Sequence, residues 1–353
     1  MSESLRAVPT FIAERAAGRA SALRPRRAAR PTAGEWARHA ALFLLTGVTA
    51  LWAGLGLMVP LGAEIEPVLP APSSVFESIS YVPLYYFEWQ RALLSYALAH
   101  TEVMTGGALF ACSLLSILLA HEAGHYVACR RYGVDATLPF FIPMPPPFLA
   151  GTLGAFIKIK SPIPTRRALF DIGVAGPLAG FIVLVPIALL AMWTAKPYNV
   201  ELPTEGVLIF NDPPMMKLLA ALVGVSANDL ANLAPNPFYW AAWVGLLVTS
   251  LNLMPVGQLD GGHATYSLFG PRAHAHIGRA AFLTVIALVP LGWLWHGSPG
   301  GAVYALLLYI MLRFGHPRAE DESEPLGRAR LFVALATLAV FLLSFTPFPV
   351  TVL

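Results

Sequence analysis

Residues 111–129 read ACSLLSILLAHEAGHYVAC. Its apolar residues predict a helix that crosses a bilayer. Yet it carries His121, Glu122 and His125, three ionisable side chains within five positions. Such groups are costly inside a spanning helix and mark a functional site by default. Residues four apart project from one helical face, so His121 and His125 can share one metal ion. Glu122, next to the first histidine, can reach a water on that metal without itself being a ligand, which is the mechanical content of HExxH.

The composition agrees with a bilayer setting. Apolar residues make up 56% of the 353 and charged residues 12%, about half the charged share of a globular protein. The net charge of +3 says little by itself, but its distribution says more. Residues 1–39 hold eight arginines and no apolar central region, so they read as a basic cytoplasmic tail rather than a cleavable signal. The run RPRRAARP (24–31) fits membrane-flanking charge better than nucleic-acid binding. Cys112 and Cys129 form no CxxC or disulfide pattern and read as small apolar residues.

Spans are expected at 40–62, 103–129, 168–193, 238–254, 280–295, 301–312 and 331–345. Between the first two, 63–101 reads as a proline- and aromatic-rich loop with Tyr81, Tyr85, Tyr86, Phe87 and Trp89 suited to an interfacial belt. With the N-terminus inside, all 23 Lys and Arg residues except Arg91, Lys196 and Lys217 fall on the cytoplasmic side, as the positive-inside rule requires. AEDESEP (319–325) reads as a solvated cytoplasmic linker. PFFIPMPPP (139–147) cannot be a continuous helix. The following GTLGAFIKIK (151–160) ends in period-two alternation that favours a strand. Non-helical backbone at membrane depth needs protein or a water-filled cavity around it, so an irregular loop or hairpin is expected beside an internal cavity.

Two histidines leave a catalytic metal short of a third protein ligand. The best candidate is Asp260 in LNLMPVGQLDGGH (251–263), at the cytoplasmic end of its span and so at the depth of His121. Pro255 breaks that helix, and Gly257, Gly261 and Gly262 supply the flexibility to fold Asp260 back.

HEAGH followed by NLMPVGQLDG resembles the paired motifs of the site-2 protease family (peptidase family M50), HExxH on one helix and N-x-x-P-x-x-x-x-D-G on a later one. Asn252, Pro255, Asp260 and Gly261 stand at those positions. The section GTLGAFIKIKSPIPTRRALFDIGVAGPLAG (151–180) is similar to chloroplast and bacterial members that lack an inserted PDZ domain. The resemblance covers about 108–267. It implies an all-α polytopic membrane protein of about six to seven transmembrane helices, with a membrane-embedded β-hairpin or irregular loop beside the active site. The catalytic core would run over about 103–267 within a transmembrane metalloprotease domain at 40–350. The implied ligands of Zn2+ are His121, His125 and Asp260, with Glu122 as general base on a zinc-bound water and Asn252 near the substrate carbonyl. The implied partners are a membrane-spanning protein substrate and the lipid bilayer, with no nucleic acid. The expected setting is the bacterial inner membrane, with the N-terminus and the active site toward the cytoplasm.

Other residues weigh less. His263 reads as a neighbour of the site rather than a ligand, and Asp171 as an acid favoured by the helix dipole. His274 and His276 read as solvated. Gly176, Pro177 and Gly180 permit close helix approach beside the site. The competing readings are a membrane metal transporter and a non-haem iron oxygenase. The spans lack the second polar constellation of a carrier, and an oxygenase has no need of Glu122.

Overall fold

The computed structural model describes residues 30–60, 74–146, 150–196, 208–226 and 236–352, with isolated positions between them. The basic tail therefore lies outside the described residues as far as 29, as do 147–149 and most of 61–73 and 197–207. Helix α1 spans Ala33–Met58. Its first turn is closed reciprocally: Glu35 N–H donates to Thr32 Oγ1 at 3.2 Å, and Thr32 N–H to the Glu35 carboxylate at 2.9 Å. Helix α2 (Val75–Ala99) and helix α3 (Thr101–Arg131) are separated by His100 alone. The strands β1 (Phe140–Pro143) and β2 (Thr152–Phe156) pair antiparallel, Phe140 opposite Phe156 and Phe141 opposite Ala155. Helix α4 spans Arg166–Trp193 and begins on Thr165, which accepts from Ala168 N–H. Strand β3 (Leu208–Phe210), helix α5 (Pro214–Val223) and helix α6 (Pro237–Asn252) follow. Then come α7 (Asp260–His296), α8 (Gly301–Arg313), α9 (Arg328–Ser344) and strand β4 (Val350–Val352), which pairs with β3.

Among these helices α1, α3, α4 and α7 are long and apolar enough to cross a membrane, a build that fits a polytopic helical membrane protein. The segments expected to span at 238–254, 301–312 and 331–345 are helical but run 16, 13 and 17 residues. Helix α3 lies at the centre, with more than half of its most apolar stretch buried. It touches α1 and α4 through glycines. A Cβ on Gly54 of α1 would lie 2.8 Å from Gly107 O, and one on Gly124 of α3 would lie 2.4 Å from Ala175 O of α4. Without those atoms the backbones meet, which lipid-solvated helices use in place of a hydrophobic drive. Phe110, Leu114, Leu118 and Trp243 pack on one side of α3, and Ile117, Leu184 and Leu246 on another.

Three expectations are corrected. The segment read as a loop over 63–101 forms α2. Ser74 accepts Glu77 N–H at its start, and Pro83 inside it removes one donor without ending it. The pattern of period two over 154–160 is strand only as far as Phe156, beyond which a single bridge joins Ile159 to Ala136. The single span expected at 280–295 is the far arm of α7, which breaks at Gly270 (φ 80°, ψ 174°) ahead of Pro271. The acidic linker stays exposed over 320–325, as its composition suggests, but its backbone is docked. Glu320 N–H donates to Ile163 O, Asp321 N–H to Pro164 O and Arg166 N–H to Asp321 O, while Arg167 pairs with Glu324 at 3.1 Å.

Replacing Gly54 with valine forces a side chain into the α1–α3 crossing. Overpacking of this kind costs about 1–3 kcal/mol, so the thermal midpoint of the detergent-solubilised protein should fall. An unchanged midpoint would show that the contact is dispensable.

Candidate metal centre

The HExxH turn sits in the C-terminal half of α3, and its two histidines face α4 and the start of α7. His125 Nδ1–H donates to Ile172 O at 2.7 Å, since a carbonyl only accepts. That fixes the tautomer and leaves Nε2 bare for coordination, an arrangement typical of metal-binding histidines. His125 Nε2 is 3.1 Å from His121 Nε2. The Asp260 carboxylate spans the pair, Oδ2 at 3.1 Å from His121 Nε2 and Oδ1 at 3.3 Å from His125 Nε2. Two donors on one tetrahedral zinc stand roughly 3.3 Å apart, given bonds of about 2.0–2.1 Å. The three groups thus fit such an ion, two neutral nitrogens and one carboxylate oxygen with room for a fourth, non-protein ligand.

Local backbone explains how Asp260 arrives there. Helix α6 ends at Asn252, the chain turns through 253–259, and Asp260 opens α7. Gly257 adopts φ +54°, and a Cβ there would lie 2.3 Å from Met311 O. A Cβ on Gly261 would lie 1.9 Å from Leu253 O, so only glycine lets the new helix start this close to the old one. Asn252 Nδ2 is 3.4 Å from His121 Nε2, and Glu122 Oε1 is 4.0 Å from the same atom. Glu122 is therefore beside the three ligand groups without joining them. Glu122 and Ile157 line the same cavity, a neighbour that no motif announces, although the alternating stretch containing it is visible in sequence.

Gly176 and Gly180 do more than admit a neighbouring helix. A Cβ on Gly176 would lie 2.1 Å from His125 Nε2, and one on Gly180 would lie 3.1 Å from His121 Cβ. The ligand rings occupy the space those side chains would fill.

A cavity of about 610 Å³ opens onto the site, lined by Glu122, Ile157, Ile159, Asn252, His263 and Arg318 among others. A larger cleft, about 820 Å³, runs between α3 and α4 past Gly124, Val127 and Asp171, and none of His121, Glu122, His125 or Asp260 lines it. Two further readings change. Asp171 lies beyond the first turn of α4 and is held by Arg330 of α9, at 2.8 and 2.6 Å, and by the Tyr132 hydroxyl, so an ion pair accounts for it rather than the helix dipole. His274 is buried, not solvated, whereas His276 is exposed. His263 lines the cavity, and its Nδ1 lies 2.9 Å from His316 Nε2.

Replacing Gly176 with alanine should drive His125 out of its position and deplete bound metal in a protein that still folds. Metal content by atomic emission, with far-UV circular dichroism as the folding check, reads the outcome; a full metal complement would contradict it.

Residues 109–292, just over half of the chain, match the model of the family described as Peptidase family M50. Over 247 residues the chain is 34% identical to the "Probable zinc metalloprotease EGY1, chloroplastic" of Oryza sativa subsp. japonica, a stretch covering 68% of this chain and 40% of that protein. The EGY1 protein of Arabidopsis thaliana is 30% identical over 68% of this chain and 42% of its own length. The EGY2 protein of the same plant is 28% identical over 74% and 45%. The chain thus spans less than half the length of these relatives. No solved structure matches it. The family match and the spacing from HExxH to Asp260 lead to one assignment: this chain belongs to peptidase family M50.

Proposed function

We propose that the protein is an intramembrane zinc metalloendopeptidase that cleaves a membrane-spanning protein substrate. The observation that carries this reading is Glu122 lying 4.0 Å from His121 Nε2, beside the His121–His125–Asp260 group but outside it. Neither a carrier nor a non-haem iron oxygenase needs a base in that place. The relatives' printed names, probable zinc metalloproteases, point the same way.

In this reading His121, His125 and Asp260 hold Zn2+. Zinc supplies Lewis acidity there, making water a competent nucleophile near neutral pH. Glu122 takes the proton of the attacking water and later passes it to the leaving amine. The Asn252 amide, beside His121, donates to the scissile carbonyl oxygen as negative charge builds on it.

A helical substrate hides its peptide bonds and must be unwound first. Thr137 N–H donates to Lys158 O and Lys160 N–H to Asp135 O, so Lys158 and Lys160 turn their backbone groups toward the β1 side. Ile157 and Ile159 therefore turn theirs the opposite way, toward the cavity. This free edge, with Glu122 on it, suits an extended substrate segment added as one more strand. The β1–β2 pair then serves as a membrane-embedded hairpin beside the active site.

The charge bias of the sequence supports a cytoplasmic N-terminus and a site opening toward the cytoplasm of a bacterial inner membrane. The shorter helices α6, α8 and α9 complete about six to seven spans in this reading, with α2 on the far face.

Purified wild type and Glu122→Gln are compared on a single-span helical substrate. The variant should lose about 10²–10⁴-fold in cleavage rate, and a strong chelator should abolish the wild-type activity; equal cleavage by both proteins would overturn the reading. Ile157→Pro, which breaks the free edge, should also lose cleavage while retaining zinc. Undiminished cleavage by the proline variant would remove the edge from the mechanism.

A further inference from the structure

The first arm of α7, residues 260–269, ends where Gly270 leaves the helical path at φ 80° and ψ 174°. Pro271 follows and carries no N–H, so the carbonyl four residues before it, Ser267 O, loses its ordinary helical partner. Ser267 is fully buried, and its carbonyl must find a donor within the protein. Arg166, the first residue of α4, is that donor. Its Nε–H bonds to Ser267 O, and its Nη2–H to Leu268 O at 3.0 Å. A planar guanidinium presents two donors in a fixed fork, which suits two adjacent carbonyls. Its charge suits the negative end of a helix.

Arg166 is half-buried and, among the described residues, forms no ion pair, unlike Arg167 beside it, which pairs with Glu324. A cation present only to flank a membrane would be left in solvent; this one is turned inward onto the broken end of another helix. Apolar contacts also join the two helices. Ala264 and Leu268 cluster with Phe170 and Val174, and Tyr266 with Leu169 and Ile172. Such contacts are non-directional and tolerate a slide along the helix axis. Hydrogen bonds to two defined carbonyls do not.

The same stretch of α4 holds a metal-ligand group, since Ile172 O accepts His125 Nδ1–H at 2.7 Å. One residue on, a Cβ on Gly173 would lie 2.6 Å from His263 Cβ and 3.4 Å from Asp260 O. The two helices therefore run antiparallel here, Gly173 meeting 260 and 263 while Arg166 meets 267 and 268. Ile172 stands about 9 Å along α4 from Arg166, and Asp260 about 10 Å along α7 from Ser267. A slip of one residue would move the carboxylate by about 1.5 Å, far outside the tolerance of a zinc–oxygen bond, about 0.2 Å.

We propose that Arg166 is a positioning residue for the metal-binding carboxylate: by capping the broken end of the first arm of α7, it holds Asp260 in register with His125. The inference rests on the reading of His121, His125 and Asp260 as zinc ligands. Arg166 touches neither metal nor substrate and acts through the arm alone.

Wild type, Arg166→Ala and Arg166→Lys are compared as full-length protein in detergent, stripped by chelator. Zinc affinity is read by competition with a chromophoric chelator, and amide hydrogen exchange is read on the metal-free proteins. Arg166→Ala should weaken zinc binding about 10–100-fold and speed exchange over 260–268 about tenfold, with exchange over α1 unchanged. Arg166→Lys keeps a charged donor and should recover most of both losses. Equal zinc affinity in wild type and Arg166→Ala overturns the role of Arg166 and leaves the zinc reading standing. Exchange that rises as much over α1 as over 260–268 overturns it too, because the variant has then loosened the whole fold. Wild type that takes up no zinc overturns the zinc reading and the proposal together.

Discussion

Two imidazoles and two carboxylates placed within apolar helices can remain there only by satisfying one another. An isolated ion at such a place costs several kcal/mol, more than a contact elsewhere in the fold returns. His121, His125 and Asp260 meet this demand as a mutually bonded group, and His125 is further tied to Ile172 O. Much of the surrounding fold follows from the need to bring these groups together. Helix α4 supplies the carbonyl and the empty glycine positions, and the broken connection after α6 supplies the acid. The segment after β2 lines the cavity beside the remaining carboxylate.

Glycine serves three separate purposes around this centre. At Gly54 and Gly124 its missing side chain lets helix backbones touch, which sets the distance between α3 and its neighbours. Gly176 and Gly180 instead leave a vacancy that the ligand rings fill. At Gly257 the requirement is conformational, a left-handed residue pressed against another helix. A single alanine in each place would therefore fail for a different reason.

The grouping of His121, His125 and Asp260 was legible in sequence because HExxH has a fixed helical geometry, and because Asn252, Pro255 and Asp260 keep a spacing that allows one chain reversal. Helices α3 and α4 were legible from the length of their apolar runs within a turn at each end, whereas α1 begins seven residues before the expected span. Helix α2 was not. Pro83 and its crowd of aromatic residues read as loop, while its actual support comes from the Ser74 cap and from Leu93 and Ala97 packing near its end. The docking of 319–325 was also hidden, since acidic composition argues for solvent and its backbone bonds to 163–166 carry no side-chain signature. The burial of His274 and its link to Thr265 depend on the break at Gly270, whose consequences no periodicity displays.

That break at Gly270 divides α7 into a short arm carrying Asp260 and a long apolar arm. A continuous 37-residue rod would tie the position of the carboxylate to the tilt of the whole helix. Bilayers differ in thickness by several Å, and spanning helices answer by tilting. With no uninterrupted hydrogen-bond ladder across the bend, the long arm can lean to match its lipid while the short arm keeps its register against α3 and α4. The same metal geometry is then available in thick and thin membranes alike.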